Sequence, residues 1–231
     1  MQKEYCEELV EFVRSIQPNC LINGRIGYRL GDYRQMSDNS IPVTAYHGDW
    51  ETPMTLNDTW GYRTGDESWK STETIQRMLV DIVGKGGNFL LNVGPDGRGV
   101  IPEGSAAILR RIGAWLKTNG ESIYGADCAP DFPYQMTWGG VTYRDADHTL
   151  YLHILRYPPY PHQVLLTGME TRVIRAQLLA TGKELPYEQT YETARNEHRL
   201  RVTLPKHPYE DLDLVVAVKL AGPCTVQSLY S

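Results

Sequence analysis

The sequence predicts an α/β region of parallel βα units followed by an antiparallel, all-β region. Three observations carry this. Up to about residue 124, helical periodicity alternates with short, continuously apolar runs, the pattern of a parallel sheet covered by helices. Beyond that point the apolar period becomes two, as in half-buried strands. Turn residues such as Tyr157-Pro158-Pro159 and Thr181-Gly182 then separate the runs. The expected domains are 1–124 and 125–231, with the boundary near 122–130.

Residues 3–17 place Leu9, Val10, Val13 and Ile16 on one helical face, and Pro18 ends the helix. A short apolar run, Cys20-Leu21-Ile22, leads to a polar stretch from Gly24 to Asp49, long enough to suggest a functional loop. Asp49-Trp50-Glu51-Thr52 is a candidate middle strand. A second helix follows, with Ser71 as its cap and Ile75, Met78, Leu79, Ile82 and Val83 repeating at helical spacing. Gly84-Lys85-Gly86-Gly87 ends it. Asn88–Val93 reads as a buried strand, Gly94–Gly97 as a turn, and Pro102–Asn119 as a third helix capped by Gly120. In the second half, Leu150, Leu152 and Ile154 alternate with Tyr151 and His153, Leu200, Val202 and Leu204 alternate with Arg199, Arg201 and Thr203, and Leu212, Leu214, Val216, Val218 and Leu220 continue the same period of two. An antiparallel β-sandwich is expected there. Three parallel strands alone leave an exposed edge, and a (β/α)8 barrel needs about 200–250 residues. The first part is therefore expected to be the last βα units of a TIM barrel whose beginning, with the true N-terminus, is missing.

The bulk properties exclude several function classes. The chain has 231 residues, a net charge of −5 and no basic run, which argues against nucleic acid as a partner. No apolar run approaches the roughly 18 residues of a membrane span. Cys6, Cys20, Cys128 and Cys224 are scattered without metal-ligand spacing and read as free or buried thiols. Neither a metal nor an organic cofactor is expected. The 15 tyrosines and 5 tryptophans offer flat, amphipathic faces of the kind that stack on sugars, and equally the material of a β-sandwich core.

Signatures of serine hydrolases, zinc proteases and P-loops are absent. Gly84–Gly87 follows a helix and precedes a strand, the wrong polarity for a phosphate cradle. The segment Asp49–Tyr62 (DWETPMTLNDTWGY) concentrates polar and aromatic groups. Barrel sites lie past the C-terminal ends of strands. A carboxyl beside aromatic surface stays protonated more readily and can act as a general acid, which makes Glu51, next to Trp50, a catalytic candidate against an ion-paired structural role. Arg25, directly after the first apolar run, can fork onto sugar hydroxyls or form a salt bridge across the barrel mouth. Asp32, Asp38 and Asp66 read as loop carboxylates and turn caps, and His47 as structural.

Residues 50–125, with the series KGGN-LLN-GP-DG-IP and the closing IG-WL--NGE-IYG helix, resemble the α-L-fucosidases of glycoside hydrolase family 29. ELVEFVRSIQPNCLINGRIG, residues 8–27, also fits, and the β-rich tail matches that family's C-terminal sandwich in position and style. The resemblance implies retaining hydrolysis of terminal α-L-fucosides on a fucosylated oligosaccharide or glycoconjugate, by two carboxyl groups about 5–5.5 Å apart. It implies a nucleophile in an upstream aromatic-rich motif that these residues do not contain. It makes Glu51 the better acid/base candidate, since GDYRQMSDN has no Glu where some members carry one. Arg25 then matches an arginine that contacts fucose, Trp60 an aromatic that packs on the sugar's methyl edge, and Trp50 a pocket wall. A non-catalytic carbohydrate-binding or truncated module is the alternative. Homo-oligomerisation stays open, as does the compartment among periplasmic, secreted and lysosome-like settings.

Overall fold

The computed structural model describes residues 2–206 and 212–228. Helix α1 spans Lys3–Ile16 and stops at Gln17, ahead of the proline that disfavours a helical residue before it. Its predicted apolar stripe is present but only half used. Cys6 is fully buried, whereas Leu9 and Ile16, expected inward, lie exposed beside Tyr5 and Phe12.

Strands β1 (Arg34–Gln35), β2 (Trp50–Thr55) and β3 (Asn88–Asn92) form a parallel sheet in the order β1-β2-β3. Glu51 pairs with Gln35 on one side and Asn88 on the other. Helices α2 (Thr72–Gly84) and α3 (Glu103–Asn119) cover one face. Leu56, Ile75, Ile108 and Ile112 pack there with Phe89 and Leu91. Trp50, Met54 and Ile82 form a neighbouring cluster. The other face is open at β3, where Leu90 is 48% exposed, and closed at Pro53 and Thr55 of β2, so β3 is not the buried strand expected from its apolar run.

Local chemistry accounts for these boundaries. Ser71 Oγ accepts from the Thr74 N–H at 3.1 Å, a cap that contributes about 1 kcal/mol. After α2 the chain turns through Gly86 at φ +75°, in the left-handed region. A Cβ on Gly87 would stand 2.2 Å from the Trp50 ring. That close approach lets the indole bury completely, and burial of so large a ring contributes about 5 kcal/mol. Gly120 is the C-cap of α3, as expected; its backbone is right-handed and continues into a 3-10 turn to Ser122.

Seven further strands follow: β4 (Gly139–Arg144), β5 (Thr149–Ile154), β6 (Gln163–Thr167), β7 (Val173–Leu178), β8 (Tyr187–Glu192), β9 (Glu197–Thr203) and β10 (Leu214–Leu220). They form two antiparallel sheets, β4-β5-β10-β7 and β6-β9-β8. Leu150, Leu152, Val216 and Val218 of the first share one core with Val164, Leu166, Leu200 and Val202 of the second, giving the expected sandwich. The period of two gave Tyr151 and His153 a solvent-facing position, but both are fully buried. Trp115 and Ile123 lie over Tyr151, Val215 and Ala217, so the larger sheet is covered on both faces.

A polar knot pins this inner layer. His153 Nδ1 lies 2.6 Å from Asp213 Oδ2 and its Nε2 3.0 Å from Thr142 Oγ1. The Trp115 indole N–H donates to the Asp213 carbonyl at 2.9 Å, and the Gln76 amide reaches Asp213 Oδ2 at 3.5 Å. Both carboxylate and imidazole are without solvent contact. Removing one member strands the other in a low-dielectric layer. Asp213→Ala is therefore expected to lower the unfolding free energy by about 3–5 kcal/mol in urea denaturation; a loss below about 1 kcal/mol would show that the knot does not hold the layers.

Candidate active site

The open face of the parallel sheet carries the polar row in which Gln35, Glu51 and Asn88 sit side by side. Adjacent side chains on a strand point to opposite faces, so Glu51 and Trp50 cannot share an environment. Trp50 is fully buried towards the helices, with its indole N–H donating to the Lys85 carbonyl at 3.3 Å. This corrects two expectations. Trp50 has no surface to offer as a pocket wall, and the aromatic neighbour invoked to keep Glu51 protonated lies across the sheet.

The direct partner of Glu51 is Asn23, whose amide donates to Oε1 at 2.9 Å. The Asn23 amide nitrogen also lies 2.6 Å from the Gln35 amide. The Gln35 amide serves one of two neighbours: its oxygen either accepts from Asn23 Nδ2 or, turned over, accepts from Arg25 Nε at 2.7 Å and Nη2 at 2.6 Å, which sets its nitrogen against that of Asn23. Asn23 Oδ1 in turn accepts the Arg25 backbone N–H at 2.8 Å, fixing the 3-10 turn Gly24–Ile26 on which Arg25 sits. Arg25 and Glu51, 26 residues apart, are thus held on one face through Asn23, an amide that sequence reasoning missed, with Gln35 beside it. Asn23 ends the first apolar run immediately before Arg25, and that adjacency was the available signal. The guanidinium also pairs with Asp38, so the salt-bridge reading of Arg25 is realised as well.

Glu51 is the second residue of β2, at the strand's N-terminal end rather than beyond its C-terminal end as expected. The strands are staggered, however. Asn23, which closes the first apolar run, bridges in parallel to Tyr33 just before β1. Glu51 is therefore level with the end of that run. Trp60 lies past the other end of β2, in the loop after Thr55, where Asn92 Nδ2 donates to its carbonyl at 2.6 Å. The four-residue step from Glu51 to Thr55 alone spans about 13 Å, so Trp60 is not part of the Asn23 cluster. A cavity of about 420 Å³ near that loop is lined by Asn57, Tyr62, Asp66 and Trp69 but by neither Glu51 nor Trp60. Asp66 there accepts from Asn57, Thr59 and Ser68, the turn-capping role expected of it.

Asp32 stabilises the loop that carries Arg25. The Ile22 N–H donates to Oδ2 at 2.7 Å and Arg14 to Oδ1 at 2.6 Å, and the first of these is the main cause of a carboxyl pKa below its ordinary 3.8. A depressed folded-state value favours the fold above the unfolded value, and that contribution is lost as pH falls through the folded one. Among the described residues, no group of three or more His, Cys, Asp or Glu side chains is arranged to hold a metal.

Comparison with known proteins bears on what this face is for. A family model described as alpha-L-fucosidase matches residues 2–121. The tissue alpha-L-fucosidase of Bos taurus is 30% identical over 179 residues, covering 74% of this chain and 38% of that protein. The structure of alpha-L-fucosidase isoenzyme 1 from Paenibacillus thiaminolyticus superposes with a TM-score of 0.80 at 33% identity, over 92% of this chain and 53% of that one. The alpha-L-fucosidase from Vibrio sp. strain EJY3 superposes at 0.84 and 28% identity, over 98% and 41%. The chain thus spans about half or less of the length of these relatives. In a carboxyl NMR titration, Asp32 is expected to titrate below 3.8 and to move back towards it in Arg14→Leu, while an unchanged value would remove Arg14 from the lock. Over half its length matched by the family model, the chain belongs to the α-L-fucosidase family of glycoside hydrolases.

Proposed function

We propose that this chain contributes the acid/base carboxyl and a sugar-contacting arginine to retaining hydrolysis of terminal α-L-fucosides on glycans. The observation that carries this is the coupling of Glu51 to Arg25 through Asn23, which donates to the carboxyl and accepts the Arg25 backbone N–H, on one polar face. A carboxyl on such a face can donate its proton to the departing glycosidic oxygen, then take one from the water that attacks the glycosyl intermediate. Asn23 fixes the orientation of that carboxyl. The guanidinium presents a planar fork to vicinal hydroxyls. Trp60, partly exposed past β2, is the aromatic wall in this reading, and closing on the sugar requires its loop to approach Glu51. The nucleophile is assigned to none of these residues.

The parallel sheet is, in the same proposal, the final part of a (β/α)8 barrel made by residues 1–124, with residues 125–231 as the sandwich domain. Parallel sheets are almost always covered on both faces. The bare face at Leu90 and the exposed stripe of Tyr5, Leu9, Phe12 and Ile16 are the surfaces that further βα units would cover.

Turnover of an aryl α-L-fucoside tests the catalytic assignment. In a full-length parent enzyme, Glu51→Gln keeps the Asn23 contact sterically while removing the proton, and is expected to slow hydrolysis by about 10²–10⁴-fold. Unchanged turnover in that variant removes Glu51 from the chemistry. Fucoside binding without turnover by the unsubstituted chain favours the alternative, a sugar-binding module.

A further inference from the structure

On the sandwich, away from the Glu51 face, a groove of about 460 Å³ runs between the segment 134–138 and the turn after β5. At Tyr134, Gln135 and Met136 it meets a second cavity, of about 550 Å³, that lies between α2 and β4. Each volume suits a small-molecule ligand. The first groove is walled by aromatic rings whose polar ends are already tied. The Trp138 indole N–H donates to the Leu165 carbonyl at 3.0 Å, and the Tyr157 hydroxyl donates to the Pro205 carbonyl. The Tyr157 ring is further held against His162, with centroids 5.6 Å apart. Trp138, 7% exposed, backs the groove from the sandwich core, so the preorganised apolar surface offered to a ligand is that of the half-buried Tyr157 together with Tyr134. Tyr134, 52% exposed, stands where the two cavities join.

The polar groups here are the complement of that surface. Arg156 is the only formally charged side chain lining the first groove. Among the described residues neither Arg156 nor Gln135 makes an ion pair or side-chain hydrogen bond. The first groove thus holds flat rings, one planar cation and one planar amide and no carboxylate, while the second adds Arg77, Asp81, Lys85 and Asp131, whose charges balance and of which Lys85 and Asp81 pair with each other. A polyanion calls for several cations, and a basic peptide for carboxylates. A neutral ligand with an apolar ring face and many hydroxyls fits both features at once.

We propose that this groove is a second glycan subsite, binding a neutral oligosaccharide by stacking on Tyr134 and by forked hydrogen bonds from Arg156 to a vicinal diol. The choice of a glycan rests on the proposed fucosidase reading, whereas the groove itself does not depend on Glu51. Two cavities joined at Tyr134 suit a chain of sugars longer than a single fucose.

The experiment is isothermal titration of the full chain with a neutral fucosylated oligosaccharide and with its unfucosylated counterpart, in the unsubstituted protein, Tyr134→Ala, Arg156→Ala and Glu51→Gln. Saturation-transfer NMR identifies the sugar rings in contact. Tyr134→Ala and Arg156→Ala are each expected to weaken binding at least about tenfold, the scale of one lost charge-assisted hydrogen bond or stacking contact. Both positions are exposed, so an unchanged Tm accompanies the loss. Glu51→Gln is expected to leave this binding intact, with the unfucosylated glycan still bound. Binding that survives both groove substitutions, absence of binding to either glycan, or preference for a proline-rich peptide overturns the proposal. Retained groove binding alongside unchanged turnover in Glu51→Gln overturns the catalytic reading alone.

Discussion

The arrangement depends above all on one sheet that is buried twice. β4-β5-β10-β7 gives one face to the sandwich core and the other to α2, α3 and the turn after α3. A sheet in that position cannot keep polar side chains on its second face unless they find partners there. Asp213, His153, Thr142, Gln76 and Trp115 partner one another there, leaving only one oxygen each of Asp213 (Oδ1) and Gln76 (Oε1) without a partner among the described residues. They join residues more than 130 positions apart in sequence, from Gln76 to Asp213, and so tie the helical layer to the sandwich. The parallel sheet rests on the other side of the same helices. Its position, and with it the row Gln35–Glu51–Asn88, is therefore set from the sandwich outward.

The candidate site follows from a second, smaller constraint. One asparagine at the end of an apolar run satisfies the turn that carries Arg25 and the carboxylate of Glu51 together. Asn is suited to this because its amide both accepts and donates, which an aspartate cannot do when ionised. The fucosidase family relationship gives that geometry a chemical setting, and the proposed roles of acid/base and hydroxyl donor use groups already oriented by it.

Much of this was legible in the sequence, for physical reasons that differ by element. The helix over 72–84 declares itself through its Ser71 cap and the i, i+3, i+4 apolar spacing, because its inward face meets a continuous core. β5 and β10 show in their period of two. The burial of Tyr151 and His153 was not legible, since a covering helix is a tertiary fact and leaves the alternation of the strand unchanged. Trp50 was misread for a related reason. Its neighbour Glu51 suggested a shared pocket, yet neighbouring strand residues face apart, and it is Gly87, 37 residues later, that makes room for the indole. Asn23 and Gln35 escaped notice because a bridging amide has no spacing signature of its own.

The central claim is that the Glu51 carboxyl protonates the leaving oxygen, and leaving-group dependence tests it most directly. Rates of an activated dinitrophenyl α-L-fucoside and of a fucosyl disaccharide should be compared in the parent and in Glu51→Gln. A good leaving group departs without a proton, so the account predicts that the substitution slows the disaccharide far more than the activated fucoside. Equal slowing of both substrates would contradict it and leave Glu51 a structural anchor for Asn23.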